Sequence, residues 1–246
     1  MSTKNILFGI LFIIFNTFVS AKVTQVNYKA TFGVFGTVGV IKNKLSQDGN
    51  TYLIETIVEL KGMANMIMGG QKEYYISRGH IQNGLMISDF YEMTSIKKSK
   101  KKVRTYTINH KEKYISKRYR KWKKGKLVKD KTTKLDFYAK DDLLTLYFNM
   151  NKAIKEKGRK YKFMVIGLEK QNGKVQITVP SISDEASYRK DLGPSADWYA
   201  KALIVQENFR KDKGDILLSV SKDGFIKKAV IKDIMMYGDA KLLRVK

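Results

Sequence analysis

The chain has 246 residues, 43% hydrophobic and 11% aromatic, with a formal net charge of +25 and no cysteine. That composition excludes a disordered chain, and a chain this long buries a sizeable core without metals or crosslinks. The missing cysteine excludes disulfide scaffolds, thiolate nucleophiles and Cys-ligated zinc. The charge points either to polyanionic or anionic-membrane partners or to a Lys-rich coding bias.

The amino terminus reads MSTKNILFGILFIIFNTFVSA. It has Lys4, an apolar run from Ile6 to Phe15, and a small-residue stretch, Val19-Ser20-Ala21. This is the pattern of a secretory leader, with cleavage expected after Ala21. The apolar run is shorter than the roughly 20 residues of a spanning helix. A lipid anchor is excluded because no cysteine follows. The expected product is an exported, soluble protein, periplasmic in a Gram-negative cell, made of one domain over residues 22–246.

Beyond the leader, period-two alternation dominates the chain. Val26, Tyr28, Ala30 and Phe32 share one face of a first strand, and FGVFGTVG (32–39) reads as a turn or bulge before a second. Gln47 to Asn50 is a turn by composition, and Tyr52, Ile54, Thr56, Val58 and Leu60 alternate after it. GMANMIMGG (62–70) is read as one helical turn or a loop across the mouth of a sheet. Asn83-Gly84 signals a hairpin. Asp141-Asp142 opens a helix, with Leu143, Leu146, Tyr147, Met150 and Ile154 at helical spacing and Gly158 as its stop. The remaining strands are expected near 160–168, 174–180, 196–209, 215–221, 225–237 and 240–245. The predicted fold is mainly β: an antiparallel curved sheet, barrel or half-barrel of about 10–12 strands with one inserted α-helix.

Residues 97–131 hold seventeen Lys or Arg in thirty-five positions, against two acids. KKVRTYTINH and KYISKRYRKW read as two strands around a turn at 110–113, at a sheet edge or projecting from it. An anionic-surface patch is expected from Lys97, Lys98, Lys100, Lys101, Lys102, Arg104, Lys117, Arg118, Arg120, Lys121, Lys123 and Lys124. Tyr106, Tyr114, Tyr119 and Trp122 are candidate aromatic contacts, interleaved with cations as on base-stacking platforms. The alternative is a solvated edge that blocks aggregation. Nucleic acid is disfavoured, because the chain has 40 Lys and only 8 Arg and lacks any recognised binding motif.

Glycines 33, 36 and 39 do not form a dinucleotide fingerprint, and no GxSxG, P-loop or HExxH occurs. Only His80 and His110 are present, which argues against a histidine metal site or triad. Asp184-Glu185 is read as part of a loop. No enzyme activity, catalytic residue, cofactor or metal is expected.

Four stretches, VNYKATFGVFGTVGV, NTYLIETIVELKGM, DDLLTLYFNM and ILLSVSKDGFIKKAVIKDIMMYGDAKLL, resemble an exported bacterial family known as domain of unknown function 3108. The resemblance implies a periplasmic, mainly antiparallel β-protein with one inserted helix and a curved sheet similar to those of periplasmic lipoprotein carriers. It brings no catalytic residues. Apolar residues on both faces of late strands (Ile226, Val230 and Ile234 opposite Phe225, Ala229 and Ile231) imply burial on both sides by core or ligand. The expected function is therefore non-enzymatic binding of a lipid or other amphipathic envelope ligand. The alternative is an interaction module for an anionic membrane surface or polysaccharide through 97–131.

Overall fold

A computed structural model describes residues 21–67, 69–154, 156–168, 172–205, 213–232 and 239–245. Apart from Ala21, the leader expected at 1–21 lies outside the described residues, as do Lys155 and Ile234. Among the described residues no helix is long and apolar enough to cross a membrane.

The alternating amino-terminal sequence forms a meander of β1 (Lys22–Phe32), β2 (Thr37–Asp48), β3 (Thr51–Leu60), β4 (Lys72–Gln82) and β5 (Leu85–Lys97). A short helix, α1 (Gly62–Ile67), joins β3 to β4. The basic segment extends the meander with β6 (Lys100–Asn109), β7 (Tyr114–Lys123) and β8 (Lys126–Lys134). The chain then runs through β9 (Asp141–Asp142) into α2 (Leu143–Ala153). It continues as β10 (Lys160–Ile166), β11 (Lys174–Thr178), α3 (Glu185–Leu192), β12 (Trp198–Val205), β13 (Lys213–Val220), β14 (Ile226–Ile231) and β15 (Ala240–Val245).

All fifteen strands belong to one curved sheet, ordered β8 to β1, then β15 to β9. Every pair is antiparallel except β9 with β10. The expected class is what the chain forms. The count exceeds ten to twelve because β8 is exposed along its whole length and so shows no apolar period, and β9 is two residues long. α3 also went unforeseen: EASYRKDL is mostly polar, and only Glu185 and Leu192 are buried.

The sheet does not close by strand pairing. Instead residues 140–142 bridge its two arms: the Ser88 N–H donates to the Lys140 carbonyl at 2.9 Å, while Asp141 and Asp142 pair with Val165 and Ile166. Ile166 packs against Tyr91 and Tyr106 beside this bridge. β6, β7 and β8 run on past it as a wing.

The inner core lies between α2 and the carboxy-terminal strands, where Leu146 and Met150 meet Val175, Ile177, Ala200, Leu218 and Ala229. The outer face is covered by α3, with Leu192 over Tyr199 and Val230. Thus Val230 is buried by protein on the side away from the core. A register shift at Ser219/Val220 turns Ile226 inward beside Val220. Ile226 and Val230, expected on one face, stand on opposite faces for that reason.

Turns follow the expected chemistry. Asn83-Gly84 has φ of 53° and 76°, and Asn172-Gly173 has 51° and 71°, the left-handed pair that a two-residue hairpin needs. The expected close packing around 32–39 centres on Gly39, where a Cβ would sit 3.0 Å from the Glu59 carbonyl oxygen.

Candidate functional site

α2 starts where the sequence places it. Asp142 is the N-cap: its carboxylate accepts from the N–H groups of Leu144 (2.7 Å) and Thr145 (3.0 Å) and from the Ser77 hydroxyl (2.5 Å). Thr145 answers by accepting from the Asp142 N–H at 2.7 Å, completing a capping box. Asp142 is fully buried, and desolvation raises its pKa against these hydrogen bonds. Burial likewise pushes Asp141 up to about 6, although Asn149 donates to it. Asn149 also clamps the helix to β5 through the Met86 N–H (3.0 Å) and carbonyl (2.8 Å). The helix ends at Ala153, not at Gly158, because Ile154 is already extended at φ −102°, ψ 115°.

A cavity of about 370 Å³ remains between α2 and the sheet. Leu143, Leu146 and Met150 line it from the helix, facing Val175, Leu218 and Ala229 from the strands. At one end sit Ala30 and Ala240, at the level where Phe32 pairs with Ala240. At the other end Tyr147 lines it, and behind it the Tyr147 ring contacts Phe148 and Phe225, with ring centroids 4.9 to 6.2 Å apart. The Tyr28 and Tyr147 hydroxyls hydrogen-bond to each other there, and Tyr28 also donates to the Ile226 carbonyl at 3.0 Å. Burial pushes the Tyr28 phenol up to about 12. The volume falls within the range of small-molecule sites. Close-packed interiors leave few voids larger than a water.

The sheet brings the two histidines together around one carboxylate. His80 Nδ1 lies 3.0 Å from Asp89 Oδ2, and His110 Nε2 lies 3.0 Å from Asp89 Oδ1 and from the Ser88 carbonyl. His110 Nε2 faces only acceptors and so donates to them, and Nδ1 lies 2.7 Å from the Tyr138 hydroxyl. Their separation in the chain hid this cluster, since only strand pairing places β4, β5 and the 110–113 turn side by side. It ties that turn to β5 and to Tyr138. Among the described residues no group of three or more His, Cys, Asp or Glu is placed to hold a metal ion.

The expected basic patch divides between the two faces of the wing. Lys97, Lys100, Lys102, Arg104, Lys117, Lys121 and Lys123 fall on the face that continues the inner face of the sheet. Lys101, Arg118 and Arg120 fall on the other, and Lys98 and Lys124 sit in turns. On the outer face the charge is answered: Arg118 grips Asp130 with two hydrogen bonds of 2.9 and 2.6 Å, and Arg120 stands 3.9 Å from Glu92.

Of the aromatic residues, Tyr106 is a correction. It is fully buried against Tyr91 in the core, so it offers nothing to a surface partner. Tyr119 lies on the inner face, where Arg104 and Lys129 reach its ring at 5.8 and 5.7 Å. Trp122 and Tyr114 lie on the outer face, approached by Lys101 at 5.5 Å and Lys134 at 4.7 Å. Aromatics divided between opposite faces do not make a continuous stacking platform.

No family model matches the chain, and no curated protein matches it. Among solved structures it is similar to the crystal structure of a beta-barrel-like protein of domain of unknown function DUF1849 from Brucella abortus. The identity is 10%, over 90% of this chain and 95% of that one, with a TM-score of 0.46.

Proposed function

We propose that this is an exported, non-enzymatic binding protein that holds an apolar or amphipathic envelope ligand beneath α2. The leader-like amino terminus and the sequence resemblance to the exported family of domain of unknown function 3108 motivate the export. The observation that carries the reading is the cavity, lined almost wholly by aliphatic side chains with the Tyr147 ring among them. An apolar chain entering it would shed its water contacts against Leu146, Leu218 and Ala229.

The test is organic extraction of the purified protein followed by mass spectrometry, with titration by N-phenyl-1-naphthylamine. A copurifying lipid or saturable probe fluorescence is the expected result. Extracts free of lipid, together with no saturable probe signal, would refute the reading. A second reading, attachment to an anionic envelope surface or polysaccharide through 97–131, is favoured by Lys97, Lys100, Lys102, Lys121 and Lys123 on the inner wing face, which have no ion-pair partner among the described residues.

A further inference from the structure

On the inner face of the wing, like charges stand directly opposite one another. At the rim Lys97 pairs with Lys100, Lys100 with Lys123, and Lys123 with Lys126, a single row of four lysines across four strands. The next row sets Lys102 opposite Lys121, and Lys121 opposite Lys129. On this face β5 to β8 present no carboxylate, and Lys97, Lys100, Lys102, Lys121, Lys123 and Lys126 have no ion-pair partner among the described residues. Like charges directly opposite across a sheet destabilise it. The fold therefore bears a cost here that solubility alone does not require.

The turns at the rim repeat the pattern. Lys124-Gly125 takes φ of 50° and 77°, the same conformation as Asn83-Gly84 and Asn172-Gly173. Asn tolerates the left-handed region better than lysine does. The chain uses Asn at two such positions and lysine at the rim, as it also does at Lys113, φ 52°, in the turn at the far end of β6 and β7. Lys98, at φ 50°, repeats the choice one turn away, and the Lys124 N–H bonds the Ser99 carbonyl at 2.8 Å to hold the two turns together.

Apolar side chains stand at the same edge. Met63 and Met66 on α1 are 50% and 74% exposed. The loop after α1 adjoins the lysines: a Cβ placed on Gly69 would lie 2.9 Å from Lys98 Cε and 3.4 Å from Lys97 Cε. α1 itself adjoins the sheet end that holds Ala30 and Ala240 of the cavity, since the Lys61 N–H bonds the Val38 carbonyl at 2.9 Å and a Cβ on Gly62 would lie 3.3 Å from the Thr37 carbonyl.

We infer that this rim docks on a bilayer containing anionic phospholipid, with Met63 and Met66 entering the interface and the lysine row lying over the headgroups. The methionines decide the partner: a soluble polyanion offers them nothing, whereas a bilayer receives apolar and cationic groups side by side. The inference deepens the anionic-surface reading and rests on it.

The experiment is cosedimentation of the leaderless chain with phosphatidylglycerol/phosphatidylcholine vesicles and with pure phosphatidylcholine vesicles, at low and high salt. Dextran sulfate serves as a soluble polyanion. Binding only to the anionic vesicles, weakened by salt, is expected. Each of Lys97→Gln, Lys100→Gln, Lys123→Gln and Lys126→Gln should lower vesicle affinity about fivefold. Met63→Ser with Met66→Ser should lower it about tenfold while leaving dextran sulfate binding unchanged.

Lys124→Asn keeps the turn and should weaken vesicle binding while raising the melting temperature, a combination that misfolding does not produce. Equal binding to both vesicle types would overturn the inference. So would anionic-vesicle binding indifferent to the methionines; if dextran sulfate still bound, the broader anionic-surface reading would stand without the bilayer. Loss of both vesicle and dextran sulfate binding would sink the two together. The naphthylamine titration, run without vesicles, reports on the cavity separately.

Discussion

His80 and His110 meet edge to face, with ring centroids 5.7 Å apart, over the same carboxylate of Asp89. The two do not contribute equally. His110 is the less exposed, 26% against 42%, and bonds Tyr138 and the Ser88 carbonyl besides Asp89. His110→Ala should therefore cost about 1–2 kcal/mol and His80→Ala less than about 1 kcal/mol. Urea denaturation at neutral pH measures both, and equal losses would contradict the assignment.

Asp142 caps the start of α2 and fills one buried polar site at once. Asp142→Ala removes the cap, worth about 1 kcal/mol. It also takes from the buried Ser77 hydroxyl its carboxylate acceptor, leaving the Tyr52 hydroxyl at 3.2 Å, at about 1–3 kcal/mol for a buried partner lost. A total near 2–4 kcal/mol is expected from the denaturation midpoint, with Asp142→Asn milder. A loss below about 1 kcal/mol would mean that α2 is held chiefly by its apolar face.

Two carboxylates impose opposite pH trends on stability. Asp141, raised by burial from 3.8 to about 6, keeps its proton in the folded chain after the unfolded chain has lost its own. Stability from this group falls as pH rises from about 4 to 6, by about 3 kcal/mol in total. Glu185 is held below its ordinary value by Lys157 at 2.7 Å and Arg189 at 3.0 Å. Its contribution is present at neutral pH and disappears as pH falls through its folded pKa. Asp141→Asn should gain on the wild type between pH 4 and 6, and Glu185→Gln should lose to it at pH 7 by a margin that shrinks as pH falls. Thermal melts across that range give both curves, and parallel curves for Asp141→Asn would refute the assignment.

Ala229 is 4% exposed and lines the cavity. Ala229→Leu adds three carbons to the apolar cavity and should stabilise the ligand-free chain by about 2 kcal/mol, while abolishing naphthylamine binding. A destabilised variant would show that the surrounding side chains already use that space.

The meander, its turns and the start of α2 were legible because each rests on a local signal: alternation along Tyr52–Leu60, Asn-Gly pairs, and an acid ahead of apolar residues at helical spacing. The cavity was legible only as an excess of apolar residues, part of which proved to be the outer face under α3, with Val230 beneath Leu192. The division of the basic residues followed from alternation too, but Tyr106 did not, because its burial depends on Ile166, sixty residues away in sequence. The pairing of His80 with His110 and of Tyr28 with Tyr147 likewise depends on strand order, which local periodicity does not encode.

The first and last strands lie side by side at the centre of the sheet, with Asn27 opposite Val245 and Phe32 opposite Ala240. During synthesis the early meander can assemble from neighbouring segments alone, yet the seam that joins the two halves waits for the final strand to emerge. Loss of that strand would leave two exposed backbone edges in the middle of the molecule, each able to recruit a foreign strand. The protein's vulnerability to self-association thus sits with a six-residue stretch of its sequence, far from the lysine-coated border strand that guards its outside edge.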